Sequence, residues 1–201
     1  MPYSDFTLQR VKKELHLELF EEQGIFAHLE PVQPSELLTK NLADNVPLAL
    51  AINTEKSRSE LIIAPVLLEL KRIFKKEISF FSGIEFNVDK EKGLAGYCEF
   101  MLSASPEQLM LCAPVVAVVE AKNENIIGGM GQCIAEMAAA QFFNQQEENV
   151  LQRIYGVVTS GNIWRFLRIE RQKVSIDLQD YYIEHVEKIL GILSAMIRQT
   201  A

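Results

Sequence analysis

The sequence has few cysteines, no long apolar run and no excess of positive charge. Its three cysteines are an odd number without C-x-x-C spacing, so we expect reduced thiols in a cytoplasmic protein rather than a disulfide set or a zinc site. No apolar stretch reaches the length of a membrane span, and residues 1–5 lack the basic region that opens a secretory signal. The sequence therefore predicts neither a membrane protein nor a secreted one.

The charge balance excludes a second class of protein. A formal net charge of -7 is not typical of a protein that coats nucleic acid non-specifically, because such proteins carry a basic excess. It does not exclude an enzyme whose site acids are offset by metal ions. One local basic patch consists of Lys71, Arg72, Lys75 and Lys76. It is either a contact for nucleic acid or the solvated end of a helix, where cations favour the helix dipole.

The length of 201 residues and the 48% hydrophobic content suit one domain with a substantial core. We divide this domain into an N-terminal helical arm at 1–56, a core at 57–170, and a C-terminal strand and helix at 171–201. In the arm, the spacing of apolar residues predicts an amphipathic helix over 1–23. Three prolines predict irregular structure after it, with a short helix at 35–42.

The core has the pattern of an α/β fold with a central mixed sheet flanked by helices. Ser57 and Ser59 are candidate N-caps for a helix that extends to about Lys75 and is kinked by Pro65. Gly83 is a candidate bulge in the first strand. The further predicted elements are strands at 78–88, 94–102 and 114–121, a helix at 132–143, a hairpin of strands 153–159 and 163–169, and a final helix at 179–198.

The apolar run that predicts the central strand ends in an acid and a base. Glu120 and Lys122 are two residues apart, so on a strand their side chains project from the same face. Core packing gives no reason for a buried strand to end this way. Glu99 lies on the preceding strand and Glu60 on the preceding helix, so these acids and the lysine could meet around a divalent metal ion.

This arrangement resembles the PD-(D/E)XK nuclease superfamily. The resemblance rests on Glu99 in Gly96-Tyr97-Cys98-Glu99-Phe100, on the acid-x-lysine of Glu120-Ala121-Lys122, and on the helical glutamate of Arg58-Ser59-Glu60. Residues 155–164 also look like a hairpin found in restriction-enzyme-type members. The resemblance covers 57–169 and implies a restriction-endonuclease-like core with the element order α-β-β-β-α-β.

The resemblance also implies a function and a set of roles. It implies an endonuclease that hydrolyses phosphodiester bonds in DNA with Mg²⁺, or with Mn²⁺ in its place. Glu60, Glu99 and Glu120 would bind the metal, Lys122 would orient or activate the attacking water, and Gln132 would support the site from the start of the next helix. Glu99 stands where the family usually has an aspartate, and no Pro-Asp dipeptide is present.

Each of these residues has an ordinary structural alternative. Glu60 could be a first-turn acid that favours the helix dipole, and Glu99 could face solvent. Glu120 and Lys122 could form a surface ion pair, and Gln132 could support the start of its helix. The alternative function is a nuclease-fold protein that no longer cleaves and acts as an interaction or assembly subunit. The helix at 179–198 could then supply a homodimer interface, although core packing explains its apolar face equally well.

Overall fold

A computed structural model describes residues 2–149 and 151–199, and it is α/β with a mixed open sheet flanked by helices. The helices are α1 (Leu8–Glu14), α2 (Glu36–Ile52), α3 (Glu55–Arg58), α4 (Ala64–Phe74), α5 (Ile126–Gln146) and α6 (Val186–Ile197). The strands are β1 (Glu18–Glu22), β2 (Ser79–Glu85), β3 (Tyr97–Ser103), β4 (Val115–Ala121), β5 (Ile154–Thr159), β6 (Ile163–Glu170), β7 (Lys173–Asp177) and β8 (Tyr181–Tyr182). Short 3₁₀ turns occupy Tyr3–Asp5 and Ile183–His185, and a π-helical turn occupies Ser59–Ile63.

The strands lie in the order β1-β7-β6-β5-β4-β3-β2, and β8 pairs with β6 beside this path. The pairs β1/β7 and β4/β5 are parallel, and the other pairs are antiparallel. The strand order of this sheet is not the predicted one. The prediction placed no strand in the N-terminal arm and none corresponding to β8. It therefore missed the edge strand β1, which pairs with β7, and the short strand β8, which pairs with β6.

The sheet separates two hydrophobic cores. One core packs α2, α4 and α6 against one face of the sheet, and the other packs α1 and α5 against the opposite face. β4 lies between the two, and all seven of its residues are buried. This confirms the prediction of a central strand covered on both faces, which the uninterrupted apolar run indicated.

The hairpin of β5 and β6 is also confirmed. Its strands pair antiparallel from Ile154 opposite Ile169 to Thr159 opposite Trp164. Thr159 and Gly161 hold the turn, where the Gly161 N–H donates to Thr159 Oγ1 at 2.9 Å and Gly161 adopts φ +85°. Such a φ suits glycine, since other residues meet a steric penalty there.

The predicted helix over 1–23 is wrong. The helical part is limited to α1, which Thr7 caps by accepting from the Arg10 N–H. His16 then takes φ +54°, and the chain continues as β1, which pairs in parallel with β7. The pairing joins residues about 155 positions apart, and helical spacing within the first segment carries no information about so distant a partner.

The second helix of the arm begins where predicted but continues further. Ser35 caps α2 by accepting from the Leu38 N–H at 3.2 Å, and the helix extends to Ile52 rather than residue 42. Pro47 lies inside it, although the prolines were expected to break regular structure. Proline cannot donate a backbone hydrogen bond within the helix. The burial of Leu38, Leu42 and Ala49 along one side of α2 offsets this loss, so the helix continues through Pro47.

The predicted helix over 57–75 begins earlier and contains a different irregularity. Thr54, not Ser57 or Ser59, is the N-cap, and Thr54 and Ser57 bond reciprocally in a capping box. The helix then widens into the π-turn at Ser59–Ile63, after which Pro65 lies in the first turn of α4, where proline is tolerated. The Asn45 side chain donates to Leu61 O within the π-turn at 3.2 Å.

Two other local predictions are corrected. Gly83 has φ +62°, but β2 and β3 keep one register from Ser79–Ser103 to Glu85–Tyr97, so no bulge forms there. The predicted start of the next helix at 132 is six residues late, because α5 begins at Ile126. Asn125 caps it by accepting from the Gly128 N–H at 2.8 Å, and its early glycines are helical.

At the C-terminus, the predicted helix over 179–198 is shorter than expected. Its first residues form β8 and a 3₁₀ turn, and α6 starts at Val186. Ile189, Leu190 and Leu193 are at most 1% exposed, so this apolar face packs within the chain's own core. Within 2–149 and 151–199 no helix combines the length and the apolar character needed to cross a membrane.

Candidate active site

Four of the five predicted site residues, Glu99, Glu120, Lys122 and Gln132, gather where the parallel strands β4 and β5 end. The two strands stay in register from Ala117–Tyr155 to Ala121–Thr159, and the Lys122 N–H then donates to Thr159 O at 2.8 Å. α5 provides the crossover between them. The carboxyl ends of parallel strands are where α/β proteins commonly place ligands, because the following loops diverge there.

Glu120 and Lys122 form a close ion pair at this edge. Lys122 Nζ donates to Glu120 Oε1 at 2.5 Å, and the two side chains are 23% and 2% exposed. The other carboxylate oxygen, Glu120 Oε2, is buried without a hydrogen-bond partner. Burial raises the pKa of Glu120 to about 7 against the opposing pull of Lys122, and the nearby acids Glu99 and Glu55 raise it further.

Glu99 lies beside this pair on the neighbouring strand. Phe100 is opposite Val119 in the β3/β4 ladder, which brings Glu99 alongside the end of β4. Its side chain is half-buried, and Glu99 Oε2 accepts from Ser59 Oγ at 3.4 Å. The hydroxyl comes from the π-turn, so the helical layer on one side of the sheet reaches the acid on β3. Turns of this kind occur frequently at functional sites.

The structure does not bring Glu60 into this group. Its side chain is 63% exposed and lies 3.6 Å from the ammonium of Lys56. Glu55, one turn before Ser59 on the same side of the helix, interacts electrostatically with both Glu120 and Lys122 instead. The first-turn acid near the site is therefore Glu55.

Gln132 lies beside Lys122, although it stands in the second turn of α5 rather than at the helix start where it was predicted. Gln132 Oε1 accepts from Lys122 Nζ at 3.4 Å, and Gln132 Nε2 donates to Glu136 Oε1 at 3.0 Å. Glu136 is fully buried, and its second oxygen has no hydrogen-bond partner. Burial raises the pKa of Glu136 well above its usual range, and the nearby Glu120 raises it further.

Two cysteines, Cys98 and Cys133, lie near Glu120 and Glu136. Cys98 on β3 and Cys133 on α5 are buried free thiols, and Cys112 is a half-buried free thiol. Burial raises the pKa values of Cys98 and Cys133, and Glu136 and Glu120 raise them further. Both groups are therefore neutral thiols at ordinary pH and line the site as small apolar side chains.

Glycines at the start of α5 leave room for the lysine. A Cβ at position 129 would lie 2.9 Å from Lys122 Cγ and 3.1 Å from Lys122 Cε. The first contact is shorter than Cβ atoms make and the second is tight, so the side chain of Lys122 passes over α5 where Gly129 has no side chain. Gly128, Gly129 and Gly131 are all part of this helix.

A buried arginine ties α3 to the same edge of the sheet. Arg58 donates to Ser160 O at 2.9 Å, to Asn162 Oδ1 at 2.8 Å and to Asn53 Oδ1 at 2.9 Å. Ser160 and Asn162 belong to the turn between β5 and β6. These bonds fix the helical turn that carries Glu55 and Ser59 against the end of β5.

The carboxylates can be tested against the needs of a divalent metal ion. Among the residues that the structure describes, no three or more histidine, cysteine or acidic side chains are arranged to hold a metal ion. The chemistry of the donors nonetheless suits Mg²⁺, since Glu120 presents a buried, unpartnered oxygen and Glu99 a second carboxylate beside it. We therefore consider Glu99 and Glu120 the residues that would hold the metal.

The predicted basic patch lies away from these acids. Lys71 Nζ donates to Ile78 O just before β2, and Ser79 of β2 pairs with Ser103, at the end of β3 furthest from Glu99. Ser103 is four positions along the strand from Glu99, or about 13 Å. A cavity of about 650 Å³ lies near the β6–β7 turn, and none of the predicted site residues lines it.

Sequence reasoning missed two acids of this site, Glu55 and Glu136. Thr54 and Ser57 stand three residues apart, the spacing of a capping box, and this signal places Glu55 in the first turn of the helix. Glu136 is an acid within the apolar segment Cys133-Ile134-Ala135-Glu136-Met137, the same kind of anomaly that drew attention to Glu120.

The protein-family models and curated proteins compared with this sequence include no match.

Proposed function

We propose that the protein is a Mg²⁺-dependent hydrolase of phosphodiester bonds, with a restriction-endonuclease-like core and DNA as its substrate. The observation that carries this proposal is the buried Glu120 carboxylate, whose one oxygen binds Lys122 while the other has no partner. A buried acid with an unused oxygen is costly unless something else binds it. Its location at the carboxyl end of β4, next to Glu99, supports a cation as that ligand.

The chain order of the elements supports the same fold assignment. From Ala64 to Thr159 the elements follow as α4-β2-β3-β4-α5-β5, which is the α-β-β-β-α-β order of the superfamily named above. Glu99 lies on the second of these strands and Glu120-Ala121-Lys122 at the end of the third. The additional strands β1, β7 and β8 extend the sheet beyond β6 and lie outside that core.

The residues have distinct roles in this proposal. Glu99 and Glu120 would hold the metal ion, and Glu55 would add negative charge near it. When bound, the ion places positive charge on the phosphate and activates a water molecule. The Lys122 ammonium donates hydrogen bonds to a phosphate oxygen or to the attacking water, which orients that water for in-line attack. Hydrolysis adds the water across one P–O bond, and the departing oxygen leaves as a hydroxyl.

The three free thiols support a reducing, cytoplasmic location within the same proposal. DNA is favoured over other phosphate esters by the superfamily resemblance. The basic patch identified from the sequence lies near the start of β2, at the end of β3 furthest from Glu99, so it adds no independent support for DNA.

Cleavage of supercoiled plasmid and of single-stranded DNA, with Mg²⁺ and Mn²⁺ tested separately, examines this proposal. We expect metal-dependent cleavage by the wild type, and strongly reduced cleavage by Glu120→Ala and by Lys122→Ala, with the variants' folding checked by circular dichroism. Full activity in Lys122→Ala would contradict the role of the lysine, and equal activity in Glu120→Ala would contradict the site.

One observation favours a second candidate, a nuclease-fold protein that acts as a non-enzymatic assembly subunit. The Lys122 ammonium occupies Glu120 Oε1 at 2.5 Å and neutralises the acid on which the metal would depend. Glu99 in place of the family's aspartate adds a methylene to the second ligand. This candidate predicts that the wild type cleaves neither substrate with either metal.

A further inference from the structure

One face of α5 carries three residues that all act on the same lysine. Gly129, Gln132 and Glu136 are spaced i, i+3 and i+7, so they lie in a row along one side of the helix. We call these three residues the lysine cradle. Their row faces the end of β4, where Lys122 and Glu120 form their ion pair.

The first member of the cradle makes space. A Cβ on Gly129 would lie 2.9 Å from Lys122 Cγ and equally close to Val158 Cγ1. The aliphatic stem of Lys122 therefore lies against the bare backbone of α5. Glycine in the first turn of a helix is otherwise unfavourable, by comparison with alanine, so its use here has a packing reason.

The second and third members hold the head group. Gln132 Oε1 accepts from the Lys122 ammonium at 3.4 Å, and Gln132 Nε2 donates to Glu136 Oε1 at 3.0 Å. Because the amide nitrogen of Gln132 is engaged by a buried carboxyl group, its oxygen must face the lysine. Glu136 is fully buried, so it fixes this orientation from a position that substrate cannot reach.

We infer that Gly129, Gln132 and Glu136 are positioning residues that hold the Lys122 ammonium at Glu120. The inference deepens the proposed function and rests on it for its importance to catalysis, but the placement of Lys122 can be measured without any metal or substrate. Glu136 acts through its hydrogen bond with Gln132 and through its charge near Lys122, and Gly129 acts through the space it leaves.

Acylation of individual lysines in the metal-free protein tests this placement. An acetyl N-hydroxysuccinimide ester is the probe, and peptide mass spectrometry gives a rate constant for Lys122 and for the reference lysine Lys56, whose side chain is 82% exposed. In Gln132→Ala and Glu136→Met, we expect Lys122 to react about fivefold faster relative to Lys56, as the loss of one hydrogen bond predicts. Gly129→Ala should also speed the reaction of Lys122, because the added methyl group displaces the lysine stem.

Glu136→Gln is the conservative variant, because it keeps an acceptor for Gln132 at the same distance. We expect it to restore the slow acylation of Lys122, which a merely structural role for a carboxyl group would not predict. Ile127→Ala is the control for changes at the start of α5, since Ile127 is 63% exposed. If Glu136→Met does not fold, Gly129→Ala and Gln132→Ala carry the test.

The outcome separates this inference from the proposed function. An unchanged Lys122 rate in Gly129→Ala and Gln132→Ala overturns the cradle, whatever the cleavage assay shows. Faster acylation together with rescue by Glu136→Gln supports the cradle, even if the wild type cleaves no DNA and the proposed function fails.

Discussion

Two buried acids in this sheet differ in how many hydrogen-bond donors surround their carboxylate oxygens. Asp177, at the end of β7, is fully buried, and its two oxygens accept from the backbone N–H groups of Gly24, Phe26 and Gln179 and from the Tyr181 hydroxyl. Glu120, at the end of β4, has one oxygen bound by Lys122 and one with no partner.

The difference distinguishes an acid that builds the fold from one that is available to a ligand. Donors surround Asp177 because it joins the segment after β1 to the segment after β7, so its charge contributes to stability. Glu120 has too few donors for its burial, and burial raises its pKa to about 7. Such an acid costs stability in the absence of a cation, and active sites commonly contain acids of this kind.

The largest expected effect is on the rate of DNA cleavage when Lys122, the partner of Glu120, is replaced. Lys122→Ala removes the cation that would face the phosphate, so we expect DNA cleavage to fall by about 10³-fold, as for other preorganised charge donors. The measurement is the initial rate of plasmid nicking with Mg²⁺. Lys56→Ala is the matched control, since Lys56 is highly exposed, and its rate should be unchanged.

The next largest expected effect is on the free energy of unfolding when Asp177 is replaced. Asp177→Asn replaces one acceptor by an amide group that faces two donors, so we expect the free energy of unfolding to fall by about 3–4 kcal/mol. Urea denaturation measures this loss. Asp180→Asn is the control, because the Asp180 ion pair with Arg165 is partly exposed and should contribute less than about 1 kcal/mol. Equal losses in the two variants would contradict the assigned role of Asp177.

A pH titration of stability sharpens the contrast. The folded pKa of Glu120, about 7, lies above its ordinary value of 4.5, so the folded state binds the extra proton between these values. Stability therefore falls as pH rises through this window. Without divalent metal, Glu120→Gln should gain up to about 3 kcal/mol over the wild type at pH 8 and nothing at pH 4. A gain that does not change with pH would refute this explanation.

The smallest expected effect compares Glu55 with Glu60. Glu55 interacts electrostatically with Glu120 and Lys122, whereas Glu60 pairs with Lys56 in solvent. Glu55→Gln should weaken Mn²⁺ binding by roughly threefold to tenfold at low salt, and the effect should shrink as salt screens the charges. Glu60→Gln, the matched control, should bind Mn²⁺ as the wild type does, and a larger loss in this control would restore Glu60 to the site.

Local sequence patterns predicted the central part of the fold well. The apolar run that forms β4 and the hairpin of β5 and β6 have strong local signals, and both are present in the structure. β1 was missed because its pairing with β7 is non-local. An alternation of apolar and polar residues at Leu17-Glu18-Leu19 was the available signal for a strand.

The sequence predicted the site residues on the strands better than those on the helices. On β4, the period of two fixes the relation of Glu120 to Lys122, whatever happens elsewhere. On the preceding helix, the choice of acid depends on where the helix starts. Capping by Thr54 rather than Ser57 or Ser59, followed by the π-turn, makes Glu55 the acid near Glu120 and leaves Glu60 in solvent.

The measurement that tests the central claim most directly is calorimetric titration of the metal-free protein with Mn²⁺. We expect saturable binding by the wild type, loss of binding in Glu120→Gln, and retained binding in Asp180→Asn. Absence of binding by the wild type, or unchanged binding by Glu120→Gln, would contradict the claim that the unpartnered carboxylate oxygen at the end of β4 marks a metal site.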